Sequence, residues 1–190
     1  MIVFDKQGKE NTIETLKVTI QKALELNISD IVIASNTGDS VLQLIDMIPQ
    51  EKSFNMVCVT HSYGHKKLGE NEFLEENKLI LLNKSIKLLT GTHLFSNIER
   101  DVTNSFGGLY PGGIVSATLR CFGQGLKVCF EIATMALDSG LIPYGREVIV
   151  IGGTVRGCDT AAIIKPAHGK EFFNTRIREI ICMPYYKTEK

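Results

Sequence analysis

The chain has 190 residues, 44% of them hydrophobic and 22% charged, enough apolar material for one well-buried domain and too much for a disordered or fibrous chain. Lysine plus arginine equals aspartate plus glutamate at 21 each, so no global field draws nucleic acid or an anionic membrane. The five cysteines, Cys58, Cys121, Cys129, Cys158 and Cys182, are odd in number and form no CxxC pair, which argues against a disulfide framework or structural zinc and for a reducing cytoplasm.

The opening Met-Ile-Val-Phe-Asp lacks the basic start and apolar stretch of a secretion signal, and no apolar run reaches the roughly 20 residues of a membrane span. From Asn11 the pattern is helical: Asn11 and Glu14 have capping-box spacing, Ile13, Leu16, Ile20, Ala23 and Leu24 share a face, and Asn27 suits a left-handed cap. Ile31-Val32-Ile33-Ala34 then reads as a strand covered on both faces. The same grammar predicts a helix over 41–48 stopped by Pro49, a strand over 56–59, a helix over 72–83 and a strand over 86–89. Lys66-Lys67, the nearest approach to a basic cluster, has no interleaved aromatics, so no nucleic-acid partner is expected.

Ser96 and Glu99 have capping-box spacing and open a helix that Gly107-Gly108 ends. Tyr110-Pro111-Gly112-Gly113 is a loop within one domain spanning 1–190, followed by a helix over 113–122. Residues 126–137 are almost wholly apolar, as in a helix buried on most sides or placed in a homo-oligomer contact. Glu131 is the one acidic residue there and is expected on the helix's solvent side. A strand over 148–151 is joined to another over 161–164 by a connection too short for a parallel crossover, so this pair is antiparallel. Residues 177–183 add an edge strand. The predicted class is α/β, a three-layer, doubly wound, mostly parallel sheet whose last strands are antiparallel.

Two loops carry the chemistry. Ser35-Asn36-Thr37-Gly38-Asp39-Ser40 leaves a buried strand and opens a helix, where unpaired N–H groups and hydroxyls suit a phosphate; a well-capped helix without ligand explains the same residues. Gly152-Gly153-Thr154-Val155-Arg156-Gly157-Cys158-Asp159-Thr160 follows another apolar strand, with glycines for close backbone approach and Arg156 as a planar cation; a tight turn is the competing account. If the strand over 148–151 lies beside that over 31–34, away from the strand over 56–59, both loops flank the switch point where such sheets bind ligands. Asp159 and Thr160 are then placed for sugar or ribityl hydroxyls, unless Asp159 caps the turn.

Thr60 and His61 follow one strand, and Thr92 and His93 the next, at this same end. His61 and His93 are candidate acid–base groups, with structurally bonded loop histidines as the alternative. His61, His65, Glu70 and Glu72 are metal-ligand types without metal-site spacing, so no metal is expected. Cys158 lies near Arg156, yet without a base in view it reads as inert.

These residues resemble a known family. Ser35 to Ser40 resembles the phosphate-gripping loop of the pyruvate kinase C-terminal domain, and Gly153 to Gly157 resembles its second, Gly-rich effector loop. The likeness extends to stand-alone proteins of that fold through Glu10-Asn11-Thr12, Gly69-Glu70-Asn71-Glu72-Phe73, Phe106-Gly107-Gly108 with Tyr110-Pro111, Phe122-Gly123-Gln124-Gly125 and Ile164-Lys165-Pro166-Ala167-His168.

The resemblance implies a domain that binds a phosphorylated effector and performs no phosphoryl transfer, which in the kinase belongs to a separate barrel. Asp39 departs from the family's basic or neutral residue; a carboxylate there opposes a second phosphate while leaving backbone amides free to hold one. The stand-alone proteins are associated with flavin mononucleotide, so the resemblance implies that cofactor, with the loop aromatics Tyr63, Phe106 and Tyr110 available to stack on its ring. An enzyme acting on flavin or on a phosphorylated metabolite, and a regulatory effector-binding subunit, are the alternatives.

Overall fold

Strand periodicity decides which helices lie on which face. In the computed structural model, which describes residues 1–96 and 98–185, Ile31 and Ile33 of β2 (Asp30–Ala34) point to one side and Val32 to the other, all fully buried. Ile31 and Ile33 join Ile149 and Ile151 of β5 (Val148–Gly152) and Met56 and Cys58 of β3 (Asn55–Thr60) in one core. That core is capped by α1 (Thr12–Leu26), α2 (Asp39–Asp46) and α3 (Glu75–Asn83), through Leu16, Leu44 and Leu81. Val32, Val57, Val148 and Val150 form the second core, covered by α6 (Gln124–Asp138) through Leu126, Cys129, Ile132 and Ala136. The strands therefore read as continuous apolar runs, as expected of three layers.

The sheet has seven strands in the order β1-β7-β6-β5-β2-β3-β4. β2 pairs in parallel with both β3 and β5, with Ile33 opposite Cys58 on one side and Ile151 on the other. β4 (Lys87–Thr90) adds in parallel to β3, whereas β6 (Thr160–Lys165) runs antiparallel to β5. The chain thus reverses its direction of growth at β2, opening a crevice at the carboxyl ends of β2, β3 and β5.

Several expectations require correction. The run over 177–183 is β7 (Arg176–Pro184), an interior strand, because β1 (Ile2–Phe4) pairs with it in parallel and becomes the edge. Three residues are too few for an alternating pattern to declare itself. Asn11 makes no capping hydrogen bond to α1; a 3-10 turn precedes the helix and the Asn11 amide donates to the Lys6 carbonyl instead. Glu99 does not close a capping box with Ser96, because its carboxylate accepts from the Gly113 N–H across the α4 (Ile98–Phe106) to α5 (Pro111–Arg120) connection. Asn27 does adopt the left-handed cap, at φ 51° and ψ 38°. α5 packs on α6 and α4 on α5, so this pair stands outboard of the layer that α6 forms.

Candidate functional site

A cleft of about 590 Å³ opens at the carboxyl ends of β2, β3 and β5 and separates the two helical layers. On one wall, β2 runs into α2 through Ser35, Asn36 and Thr37. Gly38 stands at φ 103°, a conformation strained for any side chain, and its N–H donates to Ser35 Oγ at 3.2 Å. The first N–H groups of α2 have no intrahelical acceptor, and Asp39 and Ser40 bring them to the cleft surface. Asn77 braces the turn, its amide donating to the Thr37 carbonyl at 2.9 Å.

The second loop follows β5. The Arg156 N–H donates to the Thr154 carbonyl at 2.7 Å around Val155, a β-branched residue held at φ 61°. This three-residue turn is strained and exposed, a combination that recurs at ligand clamps. Gly157 lets the loop pass against the chain entering α1: a Cβ there would stand 2.4 Å from Thr12 Oγ1 and 2.8 Å from the Lys9 backbone. Cys158 N–H donates to Thr12 Oγ1, and Gly8 N–H to Asp159 Oδ2, both at 3.0 Å. These bonds bring Lys9 onto the cleft, a residue the loop motifs do not flag.

Of the residues singled out from sequence, Ser35, Asn36, Thr37, Asp39, Ser40, Thr60, His61, His93, Gly153, Arg156 and Gly157 line this one cleft. Gly38 shapes the turn without lining it, since its α-carbon is packed on Asn77. Gly152, Thr154, Asp159, Thr160 and Thr92 also fall outside the lining. Asp159 is fully buried, accepting from Gly8 and from the Thr160 hydroxyl at 2.8 Å, so its carboxylate is spent on fastening the N-terminal segment. Gly152 is buried under α6, where a Cβ would meet the Gly125 carbonyl at 2.6 Å, and Thr92 is an exposed loop residue.

Tyr63, Phe106 and Tyr110 do not line the cleft. Tyr63 and Phe106 face solvent, and Tyr110 borders a side cavity. The cleft's own flat groups are imidazoles: His61 and His65 lie 3.8 Å apart between ring centroids with their planes tilted by 32°, and each lies 5.5 Å from His93. His61 Nδ1 bonds Glu72 Oε2 at 2.8 Å, and Lys66 lies 3.7 Å from the other carboxylate oxygen. The His61 hydrogen bond holds the Glu72 carboxyl below its ordinary range, while burial together with His61 and His93 pulls His65 below the usual histidine value. Glu70 is turned away into an exposed pair with Lys67, and among the described residues no group of three or more His, Cys, Asp or Glu is arranged to hold a metal ion.

Glu131 is the largest departure. It is 2% exposed, ion-paired with Lys127 one helical turn earlier, accepts from the Phe95 N–H at 3.0 Å and stands 3.8 Å from His93 Nδ1. Burial raises its pKa, but the hydrogen bonds and the Lys127 charge outweigh burial and hold it at about 2. Cys158 is buried, and desolvation pushes its thiol up to about 12, so it is inert.

Six cations, Lys9, Lys66, Arg100, Arg120, Lys127 and Arg156, face three carboxylates, Asp39, Glu72 and Glu131. A cleft with that excess in a chain of zero net charge concentrates positive potential where a ligand enters. Arg100, Arg120 and Lys127 lie on α4, α5 and α6, outside the two loop motifs, and only tertiary packing brings them to this wall.

A family model described as pyruvate kinase, alpha/beta domain, matches residues 14–164. Among solved structures, a pyruvate kinase from Cryptosporidium parvum is similar to this chain at 15% identity and a TM-score of 0.39, the match covering 80% of this chain and 22% of that one. The chain therefore spans less than a quarter of the length of that enzyme.

Proposed function

We propose, from the premise that this chain belongs to the pyruvate kinase alpha/beta domain family, that it binds a phosphate-bearing small molecule at the start of α2, between the β2 and β5 loops. The observation that carries the reading is the convergence on one cleft of a helix start with unpaired N–H groups, Ser35 and Ser40 hydroxyls, and the cations Lys9 and Arg156. Neither cation has an ion-pair partner among the described residues.

Flavin mononucleotide is the first ligand to test. It needs one anion site, which agrees with Asp39 at the α2 start, and the cleft volume lies within the range of cofactor pockets. No kinase activity is carried over from the family. No helix among the described residues is long and apolar enough to cross a membrane.

The test compares flavin mononucleotide with riboflavin by fluorescence titration. Losing charge-assisted hydrogen bonds to the phosphate should weaken riboflavin by roughly 100-fold. Equal binding of the two would refute the anion site. If neither binds while other phosphate monoesters do, the flavin is withdrawn and the phosphate site stands.

The His61–Glu72 bond favours a second reading. A carboxylate on Nδ1 fixes the imidazole's orientation and leaves Nε2 as the group for proton transfer to a bound ligand. On that reading His61→Ala binds ligand normally and turns none over, and equal turnover by the variant refutes it.

A further inference from the structure

We propose that a second copy of this chain docks on the outer face of α3, as an antiparallel helix pair about a two-fold axis near Ile80, whatever ligand the cleft takes.

The sequence of α3 asks for cover on every side. Leu79, Ile80, Leu81 and Leu82 are consecutive, and at about 100° per residue four successive side chains point all round the helix. A helix that is apolar all round is stable where all its sides are buried. Within the chain only one side is. Asn77 and Leu81 are buried, Leu81 completely, where α3 packs on α2 and on β4. Leu79, Ile80 and Leu82 point elsewhere and are 61%, 39% and 57% exposed.

The surroundings of α3 explain why that face stays open. β4 is the terminal strand on this side of the sheet, so no further strand brings another helix across it. α6 is the internal comparison: it too is apolar on most sides, but it lies between the sheet on one side and α5 on another, and none of its apolar residues is exposed. The apolar run over 126–137 is thus covered by the chain itself, and the helix with apolar surface to spare is α3.

The charges on α3 identify what covers it. Glu75 and Glu76 occupy the first turn, and Lys84 follows the last residue, its N–H donating to the Ile80 and Leu81 carbonyls. Glu76, Ile80 and Lys84 are spaced by four and share one stripe, beside a second stripe of Glu75, Leu79 and Leu82. In an antiparallel pair centred on Ile80, residue 76 of each copy faces residue 84 of the other. An acidic end then meets a basic end twice, with the leucines of both copies between them, which is the self-complementarity a two-fold contact requires. Glu76 and Lys84 have no ion-pair partner among the described residues, and Glu75 has an exposed contact with Lys78 at 3.5 Å. The other exposed apolar group, which includes Ile98, Phe106 and Leu109 around α4, has Glu99, Arg100 and Asp101 mixed in sign along it and no such polarity.

Sedimentation equilibrium of the whole chain over a dilution series reads the contact directly, and wild type should dimerise. Leu79→Glu with Leu82→Glu, both at exposed positions that the fold tolerates, should raise the dimer dissociation constant at least ~100-fold. Glu76→Lys and Lys84→Glu should each raise it at least ~10-fold alone, by setting like charges against each other twice. An equimolar mixture of those two variants should dimerise as wild type does, since every altered residue then faces its opposite. A change in the helix's own dipole acts within one copy and is not repaired by mixing.

A wild type that stays monomeric throughout, or a dimer indifferent to the leucine pair, overturns the proposal. A dimer that Phe106→Glu with Leu109→Glu dissolves while the leucine pair leaves it intact places the contact on α4 and also overturns it. Charge variants that dimerise normally, or a mixture no better than either alone, overturn the antiparallel arrangement. These two variants decide the matter by themselves if the leucine pair fails to fold.

Discussion

Replacing Glu131 with alanine strikes the most buried charge in the cleft. The carboxylate is 2% exposed and the Lys127 ammonium beside it belongs to a residue only 5% exposed, so the variant strands a buried cation and also deprives the Phe95 N–H of its acceptor. Breaking one side of such a pair costs about 3–5 kcal/mol. The depressed pKa of Glu131 points the same way.

With its pKa near 2 in the folded chain against an ordinary 4.5, Glu131 binds fewer protons folded than unfolded throughout that interval. Its stabilisation is therefore complete above pH 4.5 and is lost as pH falls towards 2, amounting to about 3 kcal/mol at neutrality. Urea denaturation at pH 7 should show Glu131→Ala less stable than wild type by about 3–5 kcal/mol. The gap should narrow by about 2 kcal/mol at pH 3. Lys127→Met combined with Glu131→Leu should cost less than Glu131→Ala alone, because no unpaired charge is left. A gap below about 1 kcal/mol, or one that ignores pH, would refute the buried-pair account.

Other outcomes follow from single contacts. A Cβ on Gly125 would lie 2.1 Å from Thr160 Oγ1, so Gly125→Ala should lose about 1–3 kcal/mol, whereas Gly113→Ala, in a helix with nothing within 4 Å, should gain about 0.5–1 kcal/mol; thermal denaturation compares them. Cys58, Cys129, Cys158 and Cys182 are buried, with thiols raised by desolvation, and Cys121 is exposed; native alkylation at pH 8 should modify Cys121 alone, and denaturation should release the other four. His61→Gln should raise the Glu72 pKa, since the His61 hydrogen bond is the chief cause of its depression, and side-chain carboxyl NMR would show no change if that cause is wrong. Binding of inorganic phosphate should raise the His65 pKa, because a nearby anion favours the imidazolium that burial and the other histidines disfavour; an unmoved titration would place the anion elsewhere.

Much of the fold was legible in one dimension. Runs such as Ile31-Val32-Ile33-Ala34 and Val148-Ile149-Val150-Ile151 can only be strands covered on both faces, and the short link from β5 to β6 forces an antiparallel pair. Loops that join such strands to helices carry their chemistry locally, so the Ser35 to Ser40 turn and the Gly-rich turn at Arg156 could be recognised from composition and spacing. The exposed Asn27, whose left-handed cap depends only on its own turn, belongs to the same class.

What needed the third dimension was whatever depends on two distant segments meeting. Asp159 looked like a ligand group because it follows glycines, yet Gly8 takes its carboxylate from 151 residues away. β1 is too short to announce itself, so β7 was mistaken for an edge. Glu131 looked like a solvent-facing charge because its helix is otherwise oily, and only the approach of Phe95 and His93, with Lys127 one turn back, makes its burial tolerable. Sequence by itself determined the layers and the Gly-containing turn over 35–40, since each follows from local periodicity and backbone geometry, whereas the switch point was conditional on β5 pairing with β2, which the strand order supplied. Which charges line the opposite wall of the cleft was decided by tertiary packing alone, because Arg100, Arg120 and Lys127 lie on three different helices and only their packing brings them to one cleft.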